Sequence, residues 1–268
     1  MRLPGGNVGG AMLVAGTVRR PTGPWTPAVH ELLGFLDDRG LPLIPRVLGV
    51  DERGREVLTY LPGRVVPIGV EALTDRQVGS AMAWLREYHR AVAEFPRTPR
   101  RWRFAERALA PGEIVCHHDV AMYNLAFDDD DLAGVFDWDV AGPGVPLDDL
   151  AIFAWNSPLL DPLVDADEAA HGLVVMARAY AGPGGSAPEG ALRPALGRAL
   201  DPAPGPARIL EHVLTRMTTA ADRISAGQRA GDAGMLRLGE IGEPAATRAR
   251  IEVLRPRVPA LMAALRGA

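Results

Sequence analysis

The spacing of apolar residues changes along the chain, and each change predicts a different element. Residues 12–14 and 17–20 are short β-prone runs on either side of Gly16. Val29, Leu32, Leu33 and Leu36 then recur at helical spacing. Thr26 reads as the N-cap of that helix, Pro27 as its first helical position and Gly40 as its end. Residues 47–50 and 56–61 flank a turn containing Arg53 and Gly54, which reads as a hairpin. Thr74, Asp75, Arg76 and Gln77 have the capping-box pattern. Val78, Met82, Leu85 and Val92 carry a long helix from there to about Phe95. Residues 96–111 form a basic, proline-bearing connection, and 114–116 a strand. Residues 124–127 and 132–136 pair across an acidic tip, Asp128 to Asp131. From Leu150 the pattern is mostly helical, with candidate helices at 168–181, 207–229 and 244–266 interrupted by glycine and proline clusters. Ile209, Val213 and Met217 mark the second of these, and no internal repeat is evident. The order predicts an α+β chain, strand-rich with one helix at first and then larger and mainly helical.

Composition narrows the class. With 268 residues, 47% of them hydrophobic and 23% charged, the chain can bury a sizeable core. A net charge of −4 argues against a general nucleic-acid binder. All 29 basic residues are arginine. One cysteine, Cys116, excludes an intramolecular disulfide or a zinc ribbon and reads as a small buried strand residue. No signal-peptide pattern and no run of about 18 apolar residues is present. The expectation is a cytoplasmic protein without a membrane span.

Three polar side chains carry the chemistry. Asp119 is followed five residues later by Asn124, and thirteen residues after that by Asp137. A carboxylate, an amide and a second carboxylate in this order suit phosphoryl transfer from ATP. The first orients the attacking hydroxyl, while the amide oxygen and second carboxylate hold magnesium, which needs few protein oxygens. Asp139 is open between a metal partner, a substrate contact and a solvated loop residue. The Asp128 to Asp131 run lacks the glycine and terminal Glu of a calcium loop and reads as a solvated tip.

The stretch from Val115 through His117, His118, Asp119 and Asn124, then Asp137-Trp138-Asp139 and Asp149-Leu150-Ala151, resembles the aminoglycoside phosphotransferase family. The likeness extends upstream and covers roughly residues 3–155. It implies a protein-kinase-like bilobal fold: a nucleotide-binding lobe at 1–61, a hinge at about 58–63, and a helical lobe at 64–268. Within the second lobe it implies a catalytic loop at 117–124 and a metal-binding segment at 136–139. It implies Asp119 as the catalytic residue, Asn124 and Asp137 as metal ligands, and His117 and Asp149 as structural supports. Gly5, Gly6, Gly9 and Gly10 would cover the nucleotide, since glycine lets backbone N–H groups approach phosphate oxygens. Tyr60 and Leu61 would meet the base at the hinge. Mg²⁺, ATP or GTP as co-substrate, and a small-molecule hydroxyl acceptor follow.

The chain departs from the kinase pattern in having no lysine for the α- and β-phosphates. Alignment assigns that place to Arg19, with Arg20 one register away, and a strand turns only one of them inward. The helix glutamate that pairs with the lysine is also absent; Val29 or His30 falls near its position, and Glu31 is the nearest acid. A nucleotide-binding pseudokinase is therefore the alternative. A metal-dependent hydrolase using His117, His118, Asp119, Asp137 and Asp139, with His171 or His212 as further ligands, is a third reading. Asp148, Asp161, Asp165, Asp167, Glu168 and Glu211 are acids available to line a cationic acceptor's site, and Trp155 is a candidate wall or core residue.

Overall fold

The computed structural model describes residues 10–67, 71–182 and 203–268. Strands β1 (Met12–Val14) and β2 (Thr17–Pro21) join through Ala15 and Gly16, both at positive φ. Helix α1 (Thr26–Asp38) buries Val29, Leu32, Leu33 and Leu36, the residues whose spacing predicted it. Its N-cap is Trp25 rather than Thr26, whose hydroxyl accepts the Gly23 amide at 2.8 Å and so fixes the preceding turn. Strands β3 (Val47–Val50) and β4 (Arg55–Thr59) form the predicted hairpin around Gly54, and the antiparallel sheet runs β1-β2-β4-β3. In it Arg19 lies opposite Val57, and Arg20 opposite Glu56.

The chain leaves this sheet through β5 (Arg64–Val65) and enters α2 (Asp75–Val92). The capping box is present: the Thr74 hydroxyl accepts the Gln77 amide, and Gln77 Oε1 accepts the Thr74 amide, each at 3.1 Å. The helix stops at Val92, short of Phe95, whose ring packs edge-on against Phe35 at 5.0 Å. Within the basic connection, β6 (Arg100–Arg101) and β7 (Glu106–Arg107) form a small hairpin that periodicity did not announce.

Strand β8 (Ile114–Cys116) is fully buried. After a 3₁₀ turn at Met122–Asn124 come β9 (Leu125–Asp128), β10 (Asp131–Val135) and β11 (Gly142–Gly144). One sheet runs β10-β9-β5, and β11 pairs with β8. The acidic tip docks on the start of α2, where Asp130 accepts the Thr74 hydroxyl at 2.9 Å and Gln77 donates to the Asp129 carbonyl at 2.9 Å. Helices α3 (Pro146–Asn156), α4 (Ala166–Ala181), α5 (Pro206–Arg229), α6 (Ala233–Glu240), α7 (Ala245–Leu254) and α8 (Val258–Gly267) follow. The single helix predicted at 244–266 is broken by a 3₁₀ turn at Arg255–Arg257, where Pro256 supplies no backbone donor. The short α6 was not foreseen.

Leu85, Tyr88, Leu150, Phe153, Leu173 and Met217 share one continuous core with α1 and β8. Trp138 belongs to it, 5.3 Å from the ring of Tyr88, so the two acids flanking Trp138 project from a fixed point. No helix among the described residues is long and apolar enough to cross a membrane.

Candidate active site

The loop after β8 is held from beneath by one buried carboxylate. Asp149, in the first turn of α3, accepts the backbone amides of His117 at 2.9 Å and His118 at 2.7 Å. It also accepts His89 Nε2–H at 3.0 Å, while Nδ1 of that ring lies 2.7 Å from the Tyr180 hydroxyl. Burial alone would raise the Asp149 pKa, but the His89 hydrogen bond and the nearby imidazoles hold it below the usual carboxylate range. His118 adopts φ 63°, a left-handed conformation uncommon for a non-glycine residue. Its Nε2 lies 3.0 Å from the Pro143 carbonyl, and burial, with Arg216 close by, pushes its pKa down to about 4. His117 Nδ1 accepts the Asp119 amide at 3.2 Å, and its ring lies 4.5 Å from that of Trp138. Both imidazoles of the loop are thus engaged with backbone. His171 pairs with Asp75 on the exposed surface, and His212 with Asp148. Neither His171 nor His212 lines the cavity beside Asp119 and Asp137, so the hydrolase reading loses its two further ligands, while His117 Nε2 and His118 Nδ1 have no hydrogen-bond partner among the described residues.

Asp119 meets Asn124 and Tyr123 directly. Tyr123 donates to Oδ1 at 2.7 Å, and Asn124 Nδ2 donates to Oδ2 at 2.8 Å and to the Asp119 carbonyl at 2.9 Å. The Asn124 amide is therefore oriented through its nitrogen, and no donor among the described residues engages its Oδ1. Burial and the charge of Asp137 push the Asp119 pKa up to about 7, against the lowering effect of the Tyr123 and Asn124 hydrogen bonds. Asp137 is left-handed, at φ 64°. Conformations of this kind cluster where geometry serves function.

Arg20 occupies the inward place that alignment assigned to Arg19. Its Nη2 lies 3.1 Å from Asp137 Oδ1 and 2.6 Å from Asp139 Oδ1, and its Nε 3.3 Å from Glu56 Oε1. Burial would lower its pKa, but Asp137, Asp139 and Glu56 raise it beyond the ordinary guanidinium value. Arg19 points the other way and pairs with Asp51 at 3.1 Å. The partner acid is Glu56 of β4, which also lies 3.0 Å from His30 Nε2 of α1. Glu31 instead pairs with Arg100 at the surface. Asp139, left open by the sequence, is thus drawn into an ion cluster; burial raises its pKa, and Arg20 restrains the rise.

A cavity of about 800 Å³ opens beside these groups, lined by Asp119, Asn124, Asp137 and Asp139 at one end and by α5, α6 and α7 at the other. Arg103, which the sequence reading missed, bridges the cavity's walls. It lies 2.7 Å from Asp232, the N-cap of α6, and 3.7 Å from Asp139, and stands over the Trp25 ring at 4.3 Å. Of the six acids proposed to line an acceptor site, Asp161 lines this cavity. Asp148 is held elsewhere, by His212 at 2.8 Å and the Val145 amide at 2.9 Å. Trp155 is a wall residue, with Arg250 over its ring at 5.4 Å.

Gly5, Gly6 and Gly9 lie outside the described residues. Gly10 has φ 60°, and a Cβ built on it would meet nothing within 4 Å, so the backbone conformation is what requires glycine there. Tyr60 is exposed between β4 and β5. Leu61 packs on Gly134, where an added Cβ would come within 2.8 Å of it. Cys116 is buried, as expected, with its Sγ 3.2 Å from the Val145 carbonyl.

Part of the chain is similar in sequence to known proteins, and its fold is similar to solved ones. The model of the phosphotransferase enzyme family matches residues 80–183, the segment containing the loop, both metal-ligand candidates and Asp149. A trifolitoxin immunity protein of Rhizobium leguminosarum bv. trifolii is 34% identical over 152 residues, covering 54% of this chain and 58% of that protein. An uncharacterized protein of Deinococcus radiodurans is 30% identical over 141 residues, 44% of this chain and 41% of that one. The chain thus spans about half the length of the curated relatives it matches. Among solved structures, a choline/ethanolamine kinase family protein from Mesorhizobium loti superposes with TM-score 0.54 at 18% identity, covering 100% of this chain and 92% of that one. The gentamicin complex of APH(2")-IIa gives 0.53 at 13%, covering 93% and 89%. At such identities these neighbours speak for the fold alone. The resemblance carried by the motifs is thereby shown: residues 80–183 match the phosphotransferase enzyme family, and the chain has the protein-kinase-like fold of its solved neighbours.

Proposed function

We propose that this chain is a phosphotransferase that moves the γ-phosphoryl group of ATP or GTP to a hydroxyl of a small molecule. The observation that carries the reading is Asp119, fixed by Tyr123 and Asn124 in the lining of the cavity and close enough to feel the charge of Asp137. A carboxylate so placed accepts the hydrogen bond of an entering hydroxyl and points its oxygen at the donor. That is the larger part of what a loose transition state asks of a protein side chain. Asn124 Oδ1 and the Asp137 carboxylate are hard oxygen donors suited to Mg²⁺, and Asp139 stands beside them. When bound, the metal neutralises charge on the phosphates. Arg20 is the guanidinium at the place of the kinase lysine, where it already pairs with Glu56, Asp137 and Asp139. The strand-rich part to about residue 61 would then be the nucleotide lobe, with Tyr60 and Leu61 at its hinge. A cytoplasmic setting belongs to the same proposal.

One observation favours a pseudokinase instead: Arg20 already neutralises Asp137 and Asp139. Thermal unfolding with magnesium and either nucleotide decides whether nucleotide binds. A ligand at 100 times its dissociation constant stabilises by about 2.7 kcal/mol. The proposal expects a magnesium-dependent shift that Asp137→Asn loses, and release of the matching diphosphate, ADP from ATP or GDP from GTP, that Asp119→Ala abolishes while the shift remains. A shift without release of either diphosphate leaves the pseudokinase; no shift with either nucleotide sinks both.

A further inference from the structure

We propose that the acceptor is a hydroxyl compound with an apolar body and an anionic group, the anion being held by Arg223 and Arg216 of α5. This rests on the phosphotransferase reading and names its acceptor class. Arg216 and Arg223 are seven residues apart, so two helical turns place them on one face, and both line the cavity. Arg216 is buried; its Nε has no hydrogen-bond partner and lies 3.6 Å from Asp148 Oδ1. That oxygen already accepts from His212, and the other from the Val145 amide. Arg223 makes no hydrogen bond or ion pair among the described residues; the ring of Phe104 lies 5.4 Å from its guanidinium. Burial, then Arg216, pushes the Arg223 pKa down to about 10, the mark of a cation short of counter-charge. The other two arginines of the cavity have close counter-charges, Arg103 in Asp232 at 2.7 Å, although its Nε also lacks a hydrogen-bond partner, and Arg250 in Glu243 at 2.8 Å.

The acids tell the same story. Asp119, Asp137 and Asp139 stand at the transfer end, and Glu243 is paired with Arg250. Exposed Asp161 is what remains for an acceptor's ammonium groups. A polycation would therefore bring its charges against two under-compensated guanidinium groups. Ile152, Met217, Ile224, Met235 and Leu254 supply an apolar wall. Burying a cation without a partner is unfavourable, and a carboxylate or phosphate ester answers it with charge-assisted, often bidentate hydrogen bonds. The volume of about 800 Å³ suits a drug-sized molecule.

The test is calorimetric titration, without nucleotide, of three matched probes: 4-(hydroxymethyl)benzoate, its methyl ester, and 4-(aminomethyl)benzyl alcohol. Wild type should bind the carboxylate about tenfold or more tightly than either other probe, as one charge-assisted hydrogen bond implies. Arg223→Gln, shown to be folded by its melting curve, should reduce that preference to about threefold or less. The proposal is overturned if the amine binds best, if the three bind alike or none binds, or if the preference survives Arg223→Gln. Magnesium–nucleotide binding, measured on the same samples, reports on the phosphotransferase reading separately. Its absence beside an intact carboxylate preference would fault that reading and not the anion site.

Discussion

Replacing Arg20 by methionine removes one guanidinium from three carboxylates. Arg20 and Glu56 are 8% and 4% exposed at their side chains, so this is a buried pair; Asp137 is 24% exposed and Asp139 15%. Breaking a buried ion pair from one side destabilises by about 3–5 kcal/mol, because the remaining charge stays desolvated. Arg20→Met should fall in that range by urea denaturation at pH 8. Arg19→Ala should lose under about 1 kcal/mol, since its pair with Asp51 is partly exposed and Asp51 keeps Arg55 at 2.7 Å. The sign of the pH effect follows from Asp139. Burial already raises its folded pKa, and Arg20 is the main influence holding that rise back. Without Arg20 the pKa climbs further, so the penalty is relieved as Asp139 protonates and grows as pH rises through its folded pKa. The deficit should be smaller at pH 5 than at pH 8. Magnesium should substitute for the missing cation, stabilising Arg20→Met more than wild type. A loss below about 1 kcal/mol for Arg20→Met, an equal loss for Arg19→Ala, or equal magnesium effects on wild type and variant would refute the reasoning.

Tyr123→Phe deletes a hydrogen bond that holds down the pKa of Asp119; a bond to a charged group is worth about 1.5–3 kcal/mol, or about one to two pKa units. The acidic limb of the kcat/KM profile should move to higher pH by at least about one unit, and an unmoved limb would take Asp119 out of the step it reports. Asp149→Asn puts an amide where two backbone amides and His89 all donate, and should destabilise by about 3–5 kcal/mol with loss of activity at unchanged nucleotide affinity. A stable, active Asp149→Asn protein would mean that the loop is held by something other than this carboxylate.

The meeting of Asp119, Asn124 and Asp137 was legible because its information is local. Asp119, Asn124 and Asp137 lie on one loop and one hairpin, so chain spacing fixes their meeting, and Asp149 follows within one short helix. Arg20 was not legible, because β4 buries Glu56, Val57 and Leu58 in succession and shows no alternation from which to read a face. Glu56 was the available clue, since a glutamate between apolar strand neighbours requires a cation when buried. Pro256 likewise announced the break in the last predicted helix. Arg103 left no local trace: its role is set by Trp25, Asp139 and Asp232, which lie far from it in sequence. The acceptor wall is of the same kind, built where α5, α6 and α7 converge.

Under the proposed function, Arg20 has a practical consequence for anyone searching for the activity. Nucleotide-directed reagents that acylate a primary amine rely on a lysine beside the phosphates, and no side chain of this protein carries one. A guanidinium stays protonated at working pH and is a poor nucleophile toward such reagents. If the protein binds nucleotide as proposed, chemoproteomic surveys built on amine capture would pass over it even in an extract where it was abundant. Its discovery by that route would call for a guanidinium-selective warhead or a photoreactive nucleotide.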